Sequence, residues 1–490
     1  MPKARLRARR SRYRFTTRLS RSIPAAALSV VLVFCTVAGS LAIGRVIGFL
    51  NRVTGGVNPV KIVTAEIDPP KGSIKWKLKH GQQVNILMLG YGGAENDAPY
   101  LTDSIMIVTL DPANKRVLQT SVPRDYWVKI DAWSDGRTYP DKINAAFAVG
   151  VDDRAWRGKA PQYTGRDGGG HLAEHVVSKM TGLQFDRYAA VDFKAFRDVV
   201  NALGGIDVHM DGPLDDCHYP DYHDGYMNHG VPLGFPCPRG AGIHFRAGDY
   251  TVNGEQALEL ARSRDAIQPA QASDFGRARR QQMITSAIKK KAVSINGLSK
   301  TLQLMGALEK NFKTDMDITD IQAIYEWGGG LPDSSFVHVA LTNENLLDER
   351  GCGPPGVYTL CPEDPSLQVI HQYLAGALVD PKVLAEKAPL QVVNGSASSP
   401  DLGDRVARSL RPLGFNVADP VRRRTVETAV IYDYSGGRYQ MTANWLSNFF
   451  NARVVPATPA SAPPTPGQKT DGLVVVLGHD FALRWYGLSR

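Results

Sequence analysis

The sequence of 490 residues predicts an α/β protein. We expect a layered α-β-α domain with a central mixed sheet, a small α+β C-terminal domain and an N-terminal transmembrane helix. Short apolar runs that alternate with amphipathic segments predict the layered domain over residues 84–385. A second alternation of strands and helices covers residues 386–490, and residues 23–44 carry no charge, as a membrane-spanning helix requires.

The basic charge of the chain is concentrated in its N-terminal tail. The formal net charge is +9, and residues 1–22 carry nine lysines and arginines and no acid, so the remainder is neutral. A neutral remainder argues against nucleic acid as a partner of the folded part. The basic flank predicts a single-pass anchor with a cytoplasmic N-terminus. A cleaved signal peptide is the alternative, but its apolar core is usually shorter. Both interpretations export everything after about Arg45, beginning with a predicted stem over residues 45–83.

The first strands predict a specific pairing of two charged residues. Val84–Leu89 is an apolar run, and a turn sequence at 111–114 joins two more such runs, Ser104–Leu110 and Val117–Val122, into an antiparallel hairpin. Because paired residue numbers in this hairpin should sum to about 227, we expect Asp103 opposite Arg124 at one sheet end. A purely structural salt bridge would produce the same pairing.

The next segments continue the alternation and contain one insert. Lys142 and Asn144 are polar residues that we expect to open a helix. Residues 213–247 form a long insert with two cysteines. Further predicted elements are helices over 172–180, 194–203 and 254–260, strands over 188–193 and 205–210, and, in the C-terminal domain, strands over 390–394, 426–432 and 472–478 and helices over 402–413 and 442–450.

An arginine-rich stretch at 261–281 is the strongest candidate for an anion site. If Leu260–Arg264 is extended, Arg262 and Arg264 share one face. If the chain is helical from Asp274, then Arg277 and Gln281 continue the apolar stripe of the helix and point inward, whereas Arg279 is solvated. Inward arginines require an anionic partner, which is either a ligand or a structural network of ion pairs.

The cysteines indicate an oxidising compartment. Cys35 lies in the predicted anchor, and the other four form an even set. Of three possible connectivities, pairing of nearest neighbours gives Cys217–Cys237 and Cys352–Cys361. A zinc site is the competing interpretation, but these spacings are wide for one.

Six motifs follow one another along the chain: Asn85–Gly90, Leu101–Met106, Ser121–Asp125, Lys142–Ala146, Ala257–Arg264 and Asp274–Gln282. In this order they resemble the LytR-CpsA-Psr family of cell-wall ligases, and residues from about 390 to 481 resemble its accessory LytR C-terminal domain.

The resemblance implies a phosphotransferase that moves a glycopolymer phosphate from a polyprenyl-pyrophosphate carrier in the cell membrane to a peptidoglycan hydroxyl. It implies that Asp103 holds Mg²⁺ and that Asp274 orients or deprotonates the acceptor. One departure is that Tyr91-Gly92-Gly93 stands where the family often has an acid, so Asp97, or Glu95, is the expected second metal ligand. The residues implied to grip the pyrophosphate are Arg124, Lys142, Asn144, Arg262, Arg264, Arg277 and Gln281.

Two other functions are weighed against this transferase. A non-catalytic wall-binding or scaffold protein is the first alternative, with the C-terminal domain as the binder. A transcriptional attenuator, as the family was first named, would need a basic cytoplasmic domain, and the only basic segment here is the short tail.

Overall fold

The computed structural model of this chain describes residues 69–93, 98–219, 242–263, 265–272, 274–293, 312–397, 399–462, 464 and 466–488. The predicted tail and anchor lie outside these ranges. Within the described residues, no helix has the length and apolar character needed to cross a membrane.

A six-stranded sheet forms the centre of the N-terminal domain. Its strand order is β11-β6-β1-β2-β3-β12. β1 is antiparallel to β2 and parallel to β6, so the sheet is mixed, as predicted. The strands of this domain are β1 Val84–Tyr91, β2 Thr102–Asp111, β3 Arg116–Val122, β4 Trp127–Ile130, β5 Tyr139–Lys142, β6 Arg187–Asp192, β7 Ile206–Met210, β8 Leu214–Asp216, β9 Ile243–Phe245, β10 Gly248–Val252, β11 Phe312–Thr314, β12 Phe336–Ala340, β13 Leu347–Asp348 and β14 Cys361–Pro362.

Helices cover both faces of the sheet, which explains why β1 is an unbroken apolar run. Leu87 and Leu89 join one buried cluster, and Ile86 and Met88 join another on the opposite face, because side chains alternate along a strand. The helices are α1 Ile74–Lys79, α2 Ala145–Val151, α3 Gly168–Thr181, α4 Phe193–Ala202, α5 Gly254–Arg262, α6 Pro269–Ala272, α7 Asp274–Val293, α8 Ile318–Gly328, α9 Gln368–Gly376 and α10 Pro381–Ala385.

The fold begins earlier than the sequence predicted. Residues 45–83 were expected to form a stem, yet α1 lies within that segment and places Ile74 and Leu78 in the buried core. Ser73 caps this helix by accepting a hydrogen bond from the amide of Trp76. Six residues are too few for a clear helical period, so the apolar pair was not recognised as a helix face.

The C-terminal domain has its own mixed sheet, with the order β16-β15-β20-β18-β19. It packs on the first domain through a shared apolar cluster that includes Val379, Val383 and Leu390. Its strands are β15 Pro389–Asn394, β16 Asn416–Val417, β17 Val421–Arg422, β18 Val430–Asp433, β19 Arg453–Pro456 and β20 Leu473–Leu477. Its helices are α11 Leu402–Leu410, α12 Gln440–Phe450 and α13 His479–Trp485.

The predicted disulfide between Cys352 and Cys361 is confirmed. It closes a loop of the first domain that runs between β13 and β14. Cys217 is also disulfide-bonded, but Cys237 lies outside the described residues, so that pairing stays a prediction.

Candidate active site

An ion pair lies at one end of the central sheet. In the β2–β3 hairpin Ile105 pairs with Val122, which is the predicted register. The same register, extended by two residues, sets Asp103 opposite Arg124. Nη1 of Arg124 donates a hydrogen bond to Oδ1 of Asp103 at 2.5 Å, which confirms the predicted pairing. The side chain of Asp103 is 21% exposed and that of Arg124 is 16% exposed, so a ligand can reach both.

A second carboxylate extends the pair into an alternating series of charges. Nε of Arg124 lies 3.5 Å from Oδ2 of the buried Asp125, and Nζ of Lys142 donates to Oδ1 of the same carboxylate at 2.5 Å. Lys142 was predicted to open a helix. It instead ends β5, where pairing with Trp127 of β4 holds it beside Arg124. Asp125 was not predicted, although it is the last residue of the quoted Ser121–Asp125 motif.

Asn144 connects the two sides of the pair through its main chain. Its carbonyl oxygen accepts hydrogen bonds from the amide and the hydroxyl of Thr102, each at 3.2 Å. Its amide donates to the carbonyl oxygen of Arg124 at 3.4 Å. Asn144 also precedes α2, as predicted, but its side chain does not cap that helix. We therefore assign Asn144 a positioning role at the residues that flank Asp103 and Arg124.

Arg262 lies at the same end of the sheet, although not in the predicted conformation. The segment Leu260–Arg264 was expected to be extended, but Arg262 belongs to the last turn of α5, whose start is fixed by a capping box at Asn253. Its guanidinium lies over the Phe193 ring, at 4.5 Å from the centroid, and Nη1 lies 3.4 Å from the hydroxyl of Tyr219. Aromatic stacking of this kind fixes the plane of an arginine.

Strand pairing relates Arg262 to the ion pair. Phe193, whose ring contacts the Arg262 guanidinium, directly follows Asp192. Asp192 in β6 pairs with Tyr91 in β1. Tyr91 pairs on its other side with Thr102, the neighbour of Asp103. Two strand spacings, or about 10 Å, therefore separate the main chain of Asp192 from that of Thr102 at this end of the sheet.

Arg280 is a structural residue that the sequence analysis missed. It is 3% exposed, and its guanidinium donates to the carbonyl oxygens of Leu260, Ser263 and Gln271 and to Oε1 of Gln271. These bonds fix the chain between α5 and α7, directly after Arg262. The signal was present, because Arg280 lies four residues before the buried Ile284 on the inner face of α7.

The other predicted site residues cannot be placed. Asp97 and Arg264 lie outside the described residues, and so do the side chains of Asp274, Arg277 and Gln281, although α7 begins at Asp274 as predicted. Their proposed roles stay predictions. Arg279 is exposed, as expected for the solvated side of the helix.

This sheet end offers carboxylate oxygens, the type of ligand that a magnesium ion shared with phosphate would need. Mg²⁺ prefers oxygen ligands and is commonly held by one or two carboxylates together with substrate phosphates. Asp103 supplies one partly exposed carboxylate. A second carboxylate, Asp192, lies against the turn after β1, since a Cβ at Gly93 would be 2.9 Å from its Oδ2. Burial and the charge of Asp192 raise the pKa of Tyr91, so the tyrosine stays protonated at neutral pH.

Two family models match separate parts of the chain. Residues 387–481 match the model described as LytR cell envelope-related transcriptional attenuator. The chain is 28% identical over 273 residues to the polyisoprenyl-teichoic acid–peptidoglycan teichoic acid transferase TagV of Bacillus subtilis, covering 56% of this chain and 59% of that protein. It is 29% identical over 253 residues to the corresponding transferase TagU of Bacillus mycoides, covering 51% of this chain and 67% of the relative.

The crystal structure of Bacillus subtilis TagV is 26% identical, and the match covers 60% of this chain and 96% of that one, with a TM-score of 0.41. Residues 58–347, more than half of the chain, match the model of the LytR_cpsA_psr family. The chain belongs to the LytR_cpsA_psr family.

Proposed function

We propose that this protein transfers a glycopolymer phosphate from a polyprenyl-pyrophosphate carrier to a hydroxyl group of peptidoglycan. The observation that carries the proposal is the ion pair of Asp103 and Arg124 at the sheet end that Arg262 also reaches. The names of the relatives, which are teichoic acid transferases acting on peptidoglycan, support the same reaction class.

The reaction replaces a phosphoanhydride bond with a phosphate ester bond. The acceptor oxygen forms a bond to the phosphorus that carries the glycan, the bridging P–O bond of the pyrophosphate breaks, and polyprenyl phosphate leaves with the electron pair. The hydroxyl proton is released, and Asp274 is our candidate for receiving it or orienting the acceptor. Catalysis of such a transfer consists mostly of positioning and neutralisation of charge.

The arginines would perform this neutralisation. Within the described residues Arg124 is held by two carboxylates and Arg262 by two aromatic rings, so both guanidinium groups are oriented before the donor binds. A planar guanidinium offers paired donors that match phosphate oxygens. On the family resemblance, Arg264, Arg277 and Gln281 complete the grip, and Lys142 and Asn144 hold its upstream side.

The charge of the proposed donor suggests a metal ion, and its lipid suggests where the protein is located. Mg²⁺ would be held by Asp103 and phosphate oxygens, with Asp97 as the predicted second ligand, and it would offset the negative charge of the pyrophosphate. Residues 23–44 would anchor the protein in the cell membrane, which keeps the domain beside a lipid-borne donor on the extracytoplasmic side.

The test is a transfer assay with the full chain in detergent, a polyprenyl-pyrophosphate glycan, peptidoglycan oligomers and Mg²⁺. We expect a phosphodiester-linked product and polyprenyl phosphate in equal amounts. Arg262→Ala should abolish transfer, whereas Arg279→Ala, an exposed arginine on α7, should leave it unchanged. Absence of transfer with several donor glycans would favour the scaffold function instead.

A further inference from the structure

A polar cavity lies where the two domains meet. Its volume is about 400 Å³. The first domain contributes residues near the β13–β14 pair, and the C-terminal domain contributes the start of α11 and the end of the chain. The charged and aromatic residues that line it are Asp348, Arg350, Glu363, Asp401, Arg405 and Tyr486.

The wall of this cavity is held by a buried network that crosses the junction. The side chain of Glu363 is 3% exposed, and it accepts a hydrogen bond from Nη2 of Arg350 at 3.0 Å and an ion-pair contact from Nη1 of Arg405 at 2.8 Å. Arg405 also donates to Asp401 at 2.6 Å. The two domains thus build the cavity together, and the network fixes their charged groups in place before a ligand enters.

The charge of the cavity distinguishes it from the arginine site. Three carboxylates and two guanidinium groups face it, together with the Tyr486 hydroxyl. A pyrophosphate would meet net negative charge there. A ligand with hydroxyl groups, amines and carboxylates could instead pair with both signs. Arg350 and Asp401, whose side chains are 74% and 55% exposed, keep surface available for such a ligand.

Backbone hydrogen bonds at Leu360 link the segment that leads to the cavity with the segment that follows Arg124. The amide of Leu360 donates to the carbonyl oxygen of Asp125 at 3.0 Å, and the amide of Trp127 donates to the carbonyl oxygen of Leu360 at 2.9 Å. Glu363 follows Leu360 by three residues, which is about 10 Å of extended chain. The Cys352–Cys361 disulfide ties down the loop between these points. The backbone that leads to the cavity wall is thus hydrogen-bonded to the backbone of Asp125, the neighbour of Arg124.

We propose that the junction cavity is the acceptor subsite, and that it binds the peptide-bearing glycan of peptidoglycan. This inference rests on the proposed function. Peptidoglycan carries sugar hydroxyls and a stem peptide with amine and carboxylate groups, which matches the mixed charges of the cavity. The C-terminal domain then has a function in the reaction, because it supplies half of the acceptor subsite.

Two measurements on the full chain in detergent test this subsite. The first is binding of a soluble disaccharide-peptide fragment of peptidoglycan, without donor, by calorimetry. We expect Arg350→Ala and Tyr486→Phe each to weaken binding at least tenfold. Arg408→Ala is the matched control, since Arg408 is exposed on the same helix as Arg405 and contacts the Glu344 carbonyl, outside the cavity.

The second measurement is the kinetics of transfer at varied acceptor. The cavity variants should raise the KM for acceptor tenfold or more and leave the KM for donor unchanged. If the fragment does not bind the wild-type chain, or if Arg350→Ala binds it as tightly as Arg408→Ala does, the subsite is overturned. The subsite would also be overturned if the free donor glycan, but not the disaccharide-peptide fragment, inhibited transfer competitively with the acceptor. Fragment binding without any transfer would refute the proposed function and with it the acceptor role of the cavity, whereas transfer by the wild-type chain together with normal fragment binding by the cavity variants would refute the subsite alone.

Discussion

Replacement of Arg280 by alanine should destabilise the first domain strongly. The change removes four hydrogen bonds from a buried guanidinium to Leu260, Ser263 and Gln271, at 2.5 to 2.9 Å. A hydrogen bond to a charged group contributes about 1.5–3 kcal/mol, but such values are not additive within one network. Breaking a buried charged network by removing one partner typically costs about 3–5 kcal/mol, and we expect a loss of free energy of unfolding in that range.

Arg279→Ala is the matched control, because it removes the same charge from the adjacent, exposed position. We expect its free energy of unfolding to stay within about 0.5 kcal/mol of wild type. Urea unfolding of both variants, followed by circular dichroism, measures the difference. Equal losses in the two variants, or a loss below about 1 kcal/mol in Arg280→Ala, would refute the structural role that we assign to Arg280.

Three further predictions concern catalysis, pH dependence and the disulfide. Arg124→Ala should lower kcat in the transfer assay by about 10³-fold or more, the range of a catalytic arginine in phosphoryl transfer, with unchanged fragment binding; a loss below tenfold would argue against direct contact with phosphate. Burial, together with the charge of Asp315, raises the pKa of Glu174 from 4.5 to about 8. A raised pKa of an acid makes the fold less stable as pH rises between these two values. Glu174→Gln should remove this slope from thermal unfolding curves, and identical slopes in variant and wild type would contradict the assignment. Cys352→Ser should lower the free energy of unfolding by about 2–3 kcal/mol, since the bond closes a loop of nearly ten residues; an unchanged value in urea would show that the loop is held by other contacts.

Local sequence patterns were sufficient to predict the structure wherever contacts between residues close in the chain determine it. The β2–β3 register followed from the turn at residues 111–114, so the contact between Asp103 and Arg124 was predicted before any coordinates were known. The predicted start of α5 at residue 254 is confirmed, because the side chain and the amide of the preceding Asn253 both take part in a capping box. The Cys352–Cys361 bond followed from proximity along the chain.

Predictions failed where the local sequence allows several conformations or several buried residues and tertiary contacts select one of them. The arginine-rich stretch contains several arginines, and composition does not tell which one is buried. Among the arginines of this stretch whose side chains the structure describes, Arg280 is the buried one, because α7 packs with that face against the end of α5. Arg262 was expected in a strand, yet α5 extends two residues past its predicted end and places the Arg262 guanidinium on the Phe193 ring.

By itself, the sequence determined the mixed α/β class, the separate C-terminal domain, the family motifs and the ion pair at the sheet end. These depend on periodicity, turn residues and short loops, which act between residues close in the chain. Only the tertiary structure decided that Asp125 and Lys142 extend the ion pair, that Arg280 is structural, and that both domains enclose a polar cavity. Each of these depends on contacts between residues far apart in sequence, such as Glu363 with Arg405, and these contacts form only when the two sheets and their helices pack.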